Sequence, residues 1–381
     1  MSIDGFEEIL AAVREFVRGE VVPREDEIAE RDEIPDDLRA KAAAMGLFGY
    51  ALPQRHGGLG CSMTEDVRLA MELGYTAPAF RSMVGTNNGI AGQVLVNFGT
   101  PEQQERYLPR LASGDWVAAF ALTESEAGSD PSGLRTRAVR DGDEYVIDGT
   151  KRFITNAPLA DLFMVFARTD AAATGTNGIS VFAVEADRPG IAVGPRDHKM
   201  GQAGAWTAEV VFDGVRVPAG ALVGAVEGEG FHAAMRALSR GRLHIAALCV
   251  GLAGRILEES VRHARASRQG GRPIGQFQLV QAMLAESQAE LYAGRAMVLE
   301  AAREFDSGAD RRLAPSSAKL FCSEMVCRVA DRAVQIHGGL GYMRGVPVER
   351  FYRDARLFRI YEGTSEIQKL VIAKHLLRED G

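Results

Sequence analysis

The sequence predicts an α+β protein in three zones: a helical N-terminal domain over 1–116, a central antiparallel β-barrel or sandwich over 117–226, and a C-terminal bundle of long helices over 227–381. Apolar residues recur at helical spacing as far as Trp116 and then alternate between Val117 and Val226. From Gly230 onward the helical spacing returns, in stretches longer than an ordinary globular helix. At 381 residues the chain is long enough to bury a sizeable core.

Ile9, Val13, Phe16 and Val17 fall at i, i+4, i+7 and i+8 and share the inner face of a first helix. Thr100-Pro101-Glu102-Gln103 is a helix start: Thr100 caps, Pro101 fits the first turn, and Gln103 reaches back in a capping box. That helix ends near Gly114. Arg135–Arg140 and Glu144–Ile147 flank Asp141-Gly142-Asp143, a hairpin signal. Leu162–Ala167, Ile179–Val184 and Thr207–Phe212 read as further strands, with residues 171–178 as a surface loop. Gly230 to Arg268, Gln276–Phe305 and Pro315–His337 read as three long helices that bury apolar stripes against one another. Such lengths favour association of subunits through this bundle.

Apolar residues make up 46% and charged residues 25%, an ordinary globular composition. The net charge of −7 argues against a nucleic-acid partner but leaves room for a small anion on a local basic patch. Cys61, Cys249, Cys322 and Cys327 have no metal-ligand spacing and read as buried thiols. No apolar run approaches the ~18 residues that cross a bilayer. The first residues lack the basic and apolar regions of a signal peptide, so a cytoplasmic protein without membrane attachment is expected.

Four segments carry candidate chemistry. In Leu122-Thr123-Glu124-Ser125-Glu126-Ala127-Gly128-Ser129-Asp130, small residues and hydroxyls let backbone N–H groups approach an anion, although a plain turn reads the same way. Lys151-Arg152-Phe153-Ile154-Thr155-Asn156 follows a strand, and alternation puts Phe153 and Thr155 on one face, suited to a flat heterocycle or simply to a core edge. Gln335-Ile336-His337-Gly338-Gly339-Leu340-Gly341-Tyr342 closes a helix with more glycine than a C-cap needs. In Ile360-Tyr361-Glu362-Gly363-Thr364-Ser365-Glu366-Ile367-Gln368, Ser365 and Gln368 form a capping box and Glu366 favours the helix dipole. Those features leave Glu362 unexplained, before the cap and between an apolar stretch and a glycine.

In this order, on helical, β and helical zones, the four segments resemble the FAD-dependent acyl-CoA dehydrogenase family over nearly the whole chain. His198-Lys199-Met200-Gly201 and Val211-Phe212-Asp213-Gly214-Val215-Arg216-Val217-Pro218 resemble it too. The resemblance implies α,β-dehydrogenation of an acyl-CoA to a trans-2-enoyl-CoA in fatty acid β-oxidation, with electrons passing to an electron-transferring flavoprotein. Glu362 matches the catalytic base. Some members carry that glutamate just before an Arg on the first long C-terminal helix, where this chain has Gly241 before Arg242. By the same resemblance FAD is contacted by Phe120, Leu122, Thr123, Gly128, Ser129, Phe153, Ile154, Thr155, Arg268, Gln278, Gln335, Ile336, Gly338, Gly339, Thr364 and Glu366, with Gln335–Gly339 reaching it from a neighbouring subunit. Ser129, Leu238, Arg242, Tyr361, Glu362 and Gly363 are implied to contact the acyl-CoA, and no metal is implied. The acyl cavity is expected near Arg81–Val96 and Leu238.

The chain departs from the family at Ser125, usually Pro, and at Ser267 and Gly270, usually an Arg and a Phe that contact FAD. Two rivals follow. One is an acyl-CoA oxidase or other flavin enzyme on the same scaffold, separated by rapid reoxidation in air. The other is a flavin-free CoA-ligand-binding protein, separated by the absence of a yellow chromophore.

Overall fold

The structure, a computed structural model, describes residues 3, 5–173 and 175–377. The N-terminal helices are α1 (Phe6–Phe16), α2 (Glu25–Arg31), α3 (Asp36–Ala44), α4 (Met63–Leu73), α5 (Pro78–Asn88), α6 (Ile90–Phe98) and α7 (Pro101–Ser113). In α1 the expected stripe is widened: Phe6, Leu10, Val13 and Phe16 are buried, as is Val17 just beyond. Thr100 and Gln103 make the expected reciprocal cap of α7, with bonds of 3.3 and 2.9 Å, and Gly114 ends it at φ 82°.

The middle zone holds β1 (Ala118–Ala121), β2 (Arg137–Asp141), β3 (Glu144–Thr155), β4 (Leu162–Arg168), β5 (Ile179–Glu185), β6 (Ile191–Val193) and β7 (Thr207–Pro218). The hairpin β2–β3 turns at Gly142, φ 63°. The α+β class stands, but the sheet is not wholly antiparallel, because β1 and β2 both pair with β4 in parallel. The reason is that β4 is central and buried on both faces. Leu162, Met164 and Phe166 pack toward helices, while Phe163, Val165 and Ala167 pack toward β3 and β7. A continuous apolar run such as Leu162–Ala167 suits that double burial.

The C-terminal zone is α8 (Gly230–Ala266), a short hairpin β8 (Arg268–Gln269) and β9 (Arg272–Pro273), α9 (Gln278–Ser307), α10 (Leu313–His337), α11 (Pro347–Ala355) and α12 (Ser365–Leu376). Gly270 and Gly271, at φ 57° and 81°, make the two-residue turn of β8–β9. Both positions take left-handed backbone, which suits glycine at Gly270, where the family usually has Phe. Helix α8 crosses α4 at very short range: a Cβ on Gly251 would sit 2.1 Å from the Met71 carbonyl. Cys61, Cys249 and Cys322 are buried free thiols as expected; Cys327 is half-buried.

Candidate active site

After α11 the chain makes a short 3-10 turn (Arg356–Arg359) and then a tight corner at Tyr361-Glu362-Gly363. Glu362 and Gly363 have φ of 52° and 90°. A non-glycine residue in this region is uncommon and costs energy unless its surroundings hold it. Here they do. Lys319 Nζ donates to the Gly363 carbonyl at 2.7 Å, and the Gln368 amide donates to Gly363 at 3.0 Å and to Glu362 at 3.3 Å. Gln368 therefore serves the corner rather than a capping box. Thr364, not Ser365, is the N-cap of α12, accepting from the Ile367 N–H at 3.2 Å. Ser365 turns inward to bond Glu324 at 2.6 Å.

This corner delivers the Glu362 side chain inward, 8% exposed. One carboxylate oxygen, Oε2, has no hydrogen-bond partner. It lies against Gly241, where a Cβ would meet it at 2.1 Å. Arg242, the next residue, is buried and opposes Glu362 electrostatically; its Nη1 reaches Ser316 at 3.3 Å while its Nε stays unpaired. Burial holds the Arg242 guanidinium below its ordinary pKa, partly offset by the Glu362 charge. Burial likewise pushes Lys319 down to about 8 and raises the Tyr361 phenol, whose hydroxyl is also buried. Unpaired polar atoms gathered in a buried site are costly unless a ligand meets them. From α5, Arg81 brings Nη2 to 3.7 Å from Glu362 Oε1.

Beside Arg242 opens a cavity of about 700 Å³. Its lining includes Arg236, Arg240, Arg242, Arg311, Arg312 and Lys374, and no acidic side chain among the described residues. A local excess of cations of this size stands out in a chain of net charge −7, and it fits a polyanion.

A second group of predicted residues meets at the edge of the sheet. Lys151, fully buried, bonds the Leu122 carbonyl at 3.2 Å and Glu124 at 2.8 Å, and the Arg152 N–H donates to Thr123 at 2.8 Å. Burial pushes Lys151 down to about 8 against the pull of Glu124. The Leu122–Asp130 loop is thereby tied to the end of β3. There the register slips, Phe153 takes φ 58°, and its ring stands 61% exposed with Arg152 over it. Thr123 and Thr155 are half-buried beside buried Leu122 and Ile154, Phe120 is half-buried, and Gly128 and Ser129 lie on the surface. An exposed aromatic ring flanked by hydroxyls fits a flat heterocycle, so the residues present suit a flavin.

Arg268, Gln278, Gln335, Gly338 and Gly339 form a third group, exposed around a small core of Ala264, Ile274 and Ile336. This group is not joined to the first within one chain. Ile336 lies 17 positions beyond Lys319 along α10, about 26 Å at 1.5 Å per residue. Leu238, Thr364 and Gly363 are half-buried and Glu366 is exposed.

A buried carboxylate with a free oxygen, a cationic cavity lined by the neighbouring Arg242 and a flavin-compatible sheet edge fit a flavin oxidoreductase with an anionic ligand. The comparisons agree: residues 4–115, 119–215 and 228–377 match the N-terminal, middle and C-terminal domains of acyl-CoA dehydrogenase. The chain is 40% identical over 365 residues to the acyl-CoA dehydrogenase of Bacillus subtilis, covering 96% of each. It is 39% identical to the caffeyl-CoA reductase-Etf complex subunit CarC of Acetobacterium woodii, covering 93% of each. Butyryl-CoA dehydrogenase from Megasphaera elsdenii superimposes with a TM-score of 0.94 at 33% identity, covering 98% of each chain. The chain belongs to the acyl-CoA dehydrogenase family, FAD-binding oxidoreductases of the acyl-CoA CH–CH bond.

Sequence reading missed Asp66, His244 and Lys319 as site residues and reached Arg81 only as the start of a segment expected near the acyl cavity. The signal was present: His244 and Lys319 are polar residues inside apolar helical runs, where a buried charge or ring nitrogen needs a reason.

Proposed function

We propose that the chain catalyses α,β-dehydrogenation of an acyl-CoA thioester to the trans-2-enoyl-CoA, with Glu362 taking the α proton. The observation that carries this reading is the unpaired, buried Glu362 Oε2 held against Gly241. An oxygen without a hydrogen-bond partner keeps both lone pairs for an incoming proton. The thioester carbonyl gathers negative charge as the proton leaves, and the Glu362 backbone N–H is the donor we assign to it. FAD, when bound, supplies the acceptor for the β hydride.

Arg242 and the cationic cavity support a CoA-binding role, with Arg311, Arg312 and Lys374 facing phosphates. Ser129, Leu238, Tyr361 and Gly363 are proposed to touch the acyl-CoA. The Thr123 and Thr155 hydroxyls, the Phe153 ring, Phe120, Leu122, Ile154, Gly128, Ser129, Thr364 and Glu366 are proposed to hold FAD. Arg268, Gln278, Gln335, Ile336, Gly338 and Gly339 are assigned to the cofactor of a neighbouring subunit, because the length of α10 separates them from Glu362 in their own. A homodimer or homotetramer follows from that assignment. Met200, Leu340, Tyr342 and Met343, all more than half exposed, are among the apolar side chains available for it. The boundaries 1–116, 117–226 and 227–381, a cytoplasmic setting and a role in fatty acid β-oxidation complete the proposal.

The relationship to CarC favours an electron-transferring flavoprotein as redox partner. It also raises enoyl-CoA reduction as a second reading, in which Glu362 returns the proton as an acid. Anaerobic titration of the FAD-loaded protein with a panel of acyl-CoAs, followed by flavin bleaching, tests the assignment. Glu362→Gln should bind ligand yet fail to bleach; bleaching at the wild-type rate would remove Glu362 as the base. Bleaching by no saturated acyl-CoA, with reoxidation of reduced flavin by an enoyl-CoA, would favour the second reading.

A further inference from the structure

We propose that Asp66 and His244 are positioning residues for the base: they hold Arg81 beside Glu362 while denying it a hydrogen bond to the carboxylate. The proposal rests on the reading of Glu362 as the base.

Arg81 Nε donates to His244 Nε2 at 2.8 Å. A guanidinium has only donors, so that ring nitrogen must present its lone pair. His244 is therefore neutral, with its proton on Nδ1, which faces Asp66 Oδ1 at 2.6 Å. Burial and the Arg81 charge both hold the His244 pKa down, in keeping with that tautomer. The Tyr50 ring stacks on the imidazole at 6.2 Å. Asp66 is fixed in turn by Arg240, at 3.0 Å from Nε and 2.8 Å from Nη2. Gly85 gives the guanidinium room to fold back, since a Cβ there would lie 2.9 Å from its Cζ.

The result is Nη2 at 3.7 Å from Glu362 Oε1, beyond hydrogen-bond range. Arginine and carboxylate prefer two parallel hydrogen bonds when free to form them. Such a pair would occupy a lone pair on each oxygen and favour the charged carboxylate, making it a weaker base. By engaging Nε, His244 holds the guanidinium out of that arrangement while its charge still faces the site. Packing alone does not call for histidine, because the neighbouring residues of the run, Leu243 and Ile245–Val250, are all apolar and buried.

The test uses FAD-loaded wild type, His244→Leu and His244→Gln. Anaerobic stopped-flow measures flavin bleaching by acyl-CoA, spectral titration measures acyl-CoA affinity, and crystallography measures the Arg81–Glu362 distance. His244→Leu should slow bleaching about a hundredfold with affinity and FAD content unchanged, and Arg81 should close onto Glu362 within hydrogen-bond range. His244→Gln, which keeps an acceptor for Nε, should recover most of the rate. Wild-type bleaching in His244→Leu, no recovery in His244→Gln, or an unmoved Arg81 would overturn the proposal. His244→Asn, too short to offer the acceptor, repeats the test with the same outcomes if the leucine variant does not fold. If no acyl-CoA bleaches the wild type, the base assignment fails, and the Arg81–Glu362 distances still decide the positioning claim.

Discussion

Gly241 faces the base so closely that a Cβ would stand 2.1 Å from Glu362 Oε2. The helix itself tolerates alanine, so Gly241→Ala should leave the melting temperature nearly unchanged while forcing the carboxylate aside. Flavin bleaching should slow about a hundredfold, the size of effect a shift of roughly 1 Å produces; a wild-type rate would show that the carboxylate does not work from that position. Asp354 makes a different prediction. Its carboxyl is buried beneath the Gln202 N–H and burial raises it to about 6, against the pull of Arg350 and Arg353. A raised carboxyl favours the folded state fully below its ordinary pKa near 4, and that contribution is lost as pH rises through about 6. Asp354→Asn keeps the acceptor and removes the titration. The variant should gain roughly 3 kcal/mol over wild type at pH 7.5, with the advantage vanishing by about pH 4. Melting temperatures across that range check it, and parallel curves would refute it.

At the scale of elements, α4 and α8 touch through glycine. A Cβ on Gly251 would meet the Met71 carbonyl at 2.1 Å, and one on Gly74 the Leu248 carbonyl at 2.4 Å. Neither backbone can yield locally, so Gly251→Ala should destabilise by about 1–3 kcal/mol through overpacking, measured by denaturant unfolding; a neutral result would mean the helices separate freely. The same scale shows what local sequence reveals. Thr100 and Gln103 were legible because a capping box is made by residues three apart. Ser365 was misplaced because Thr364 and Ser365 are both eligible caps, and the choice depends on Glu324, which is 41 positions away and bonds Ser365. The slip in register at Phe153 was invisible for a similar reason, since it is set by pairing with β7.

Across the whole molecule, charge is segregated: a net −7 chain concentrates five arginines and Lys374 around one cavity. These cations come from α8, the α9–α10 connection and α12, so composition averaged them away. If the cavity receives the phosphates of CoA, acyl-CoA affinity should fall steeply with added salt. Arg311→Gln combined with Lys374→Gln should weaken binding about tenfold, equivalent to about 1.4 kcal/mol, without slowing bleaching at saturation. Salt-independent affinity would place the CoA elsewhere.

The sequence by itself determined the order of helical and β zones, the long helices and the motif-bearing corner at Glu362, because periodicity, caps and turn residues act over a few positions. Only the tertiary structure decided which buried polar groups meet. Asp66, Arg81, His244, Lys319 and Glu362 lie on five separate segments, and their distances follow from how α4, α5, α8 and α10 pack against the corner before α12. Side-chain chemistry is written locally, whereas the pairing of one buried charge with another is a property of packing.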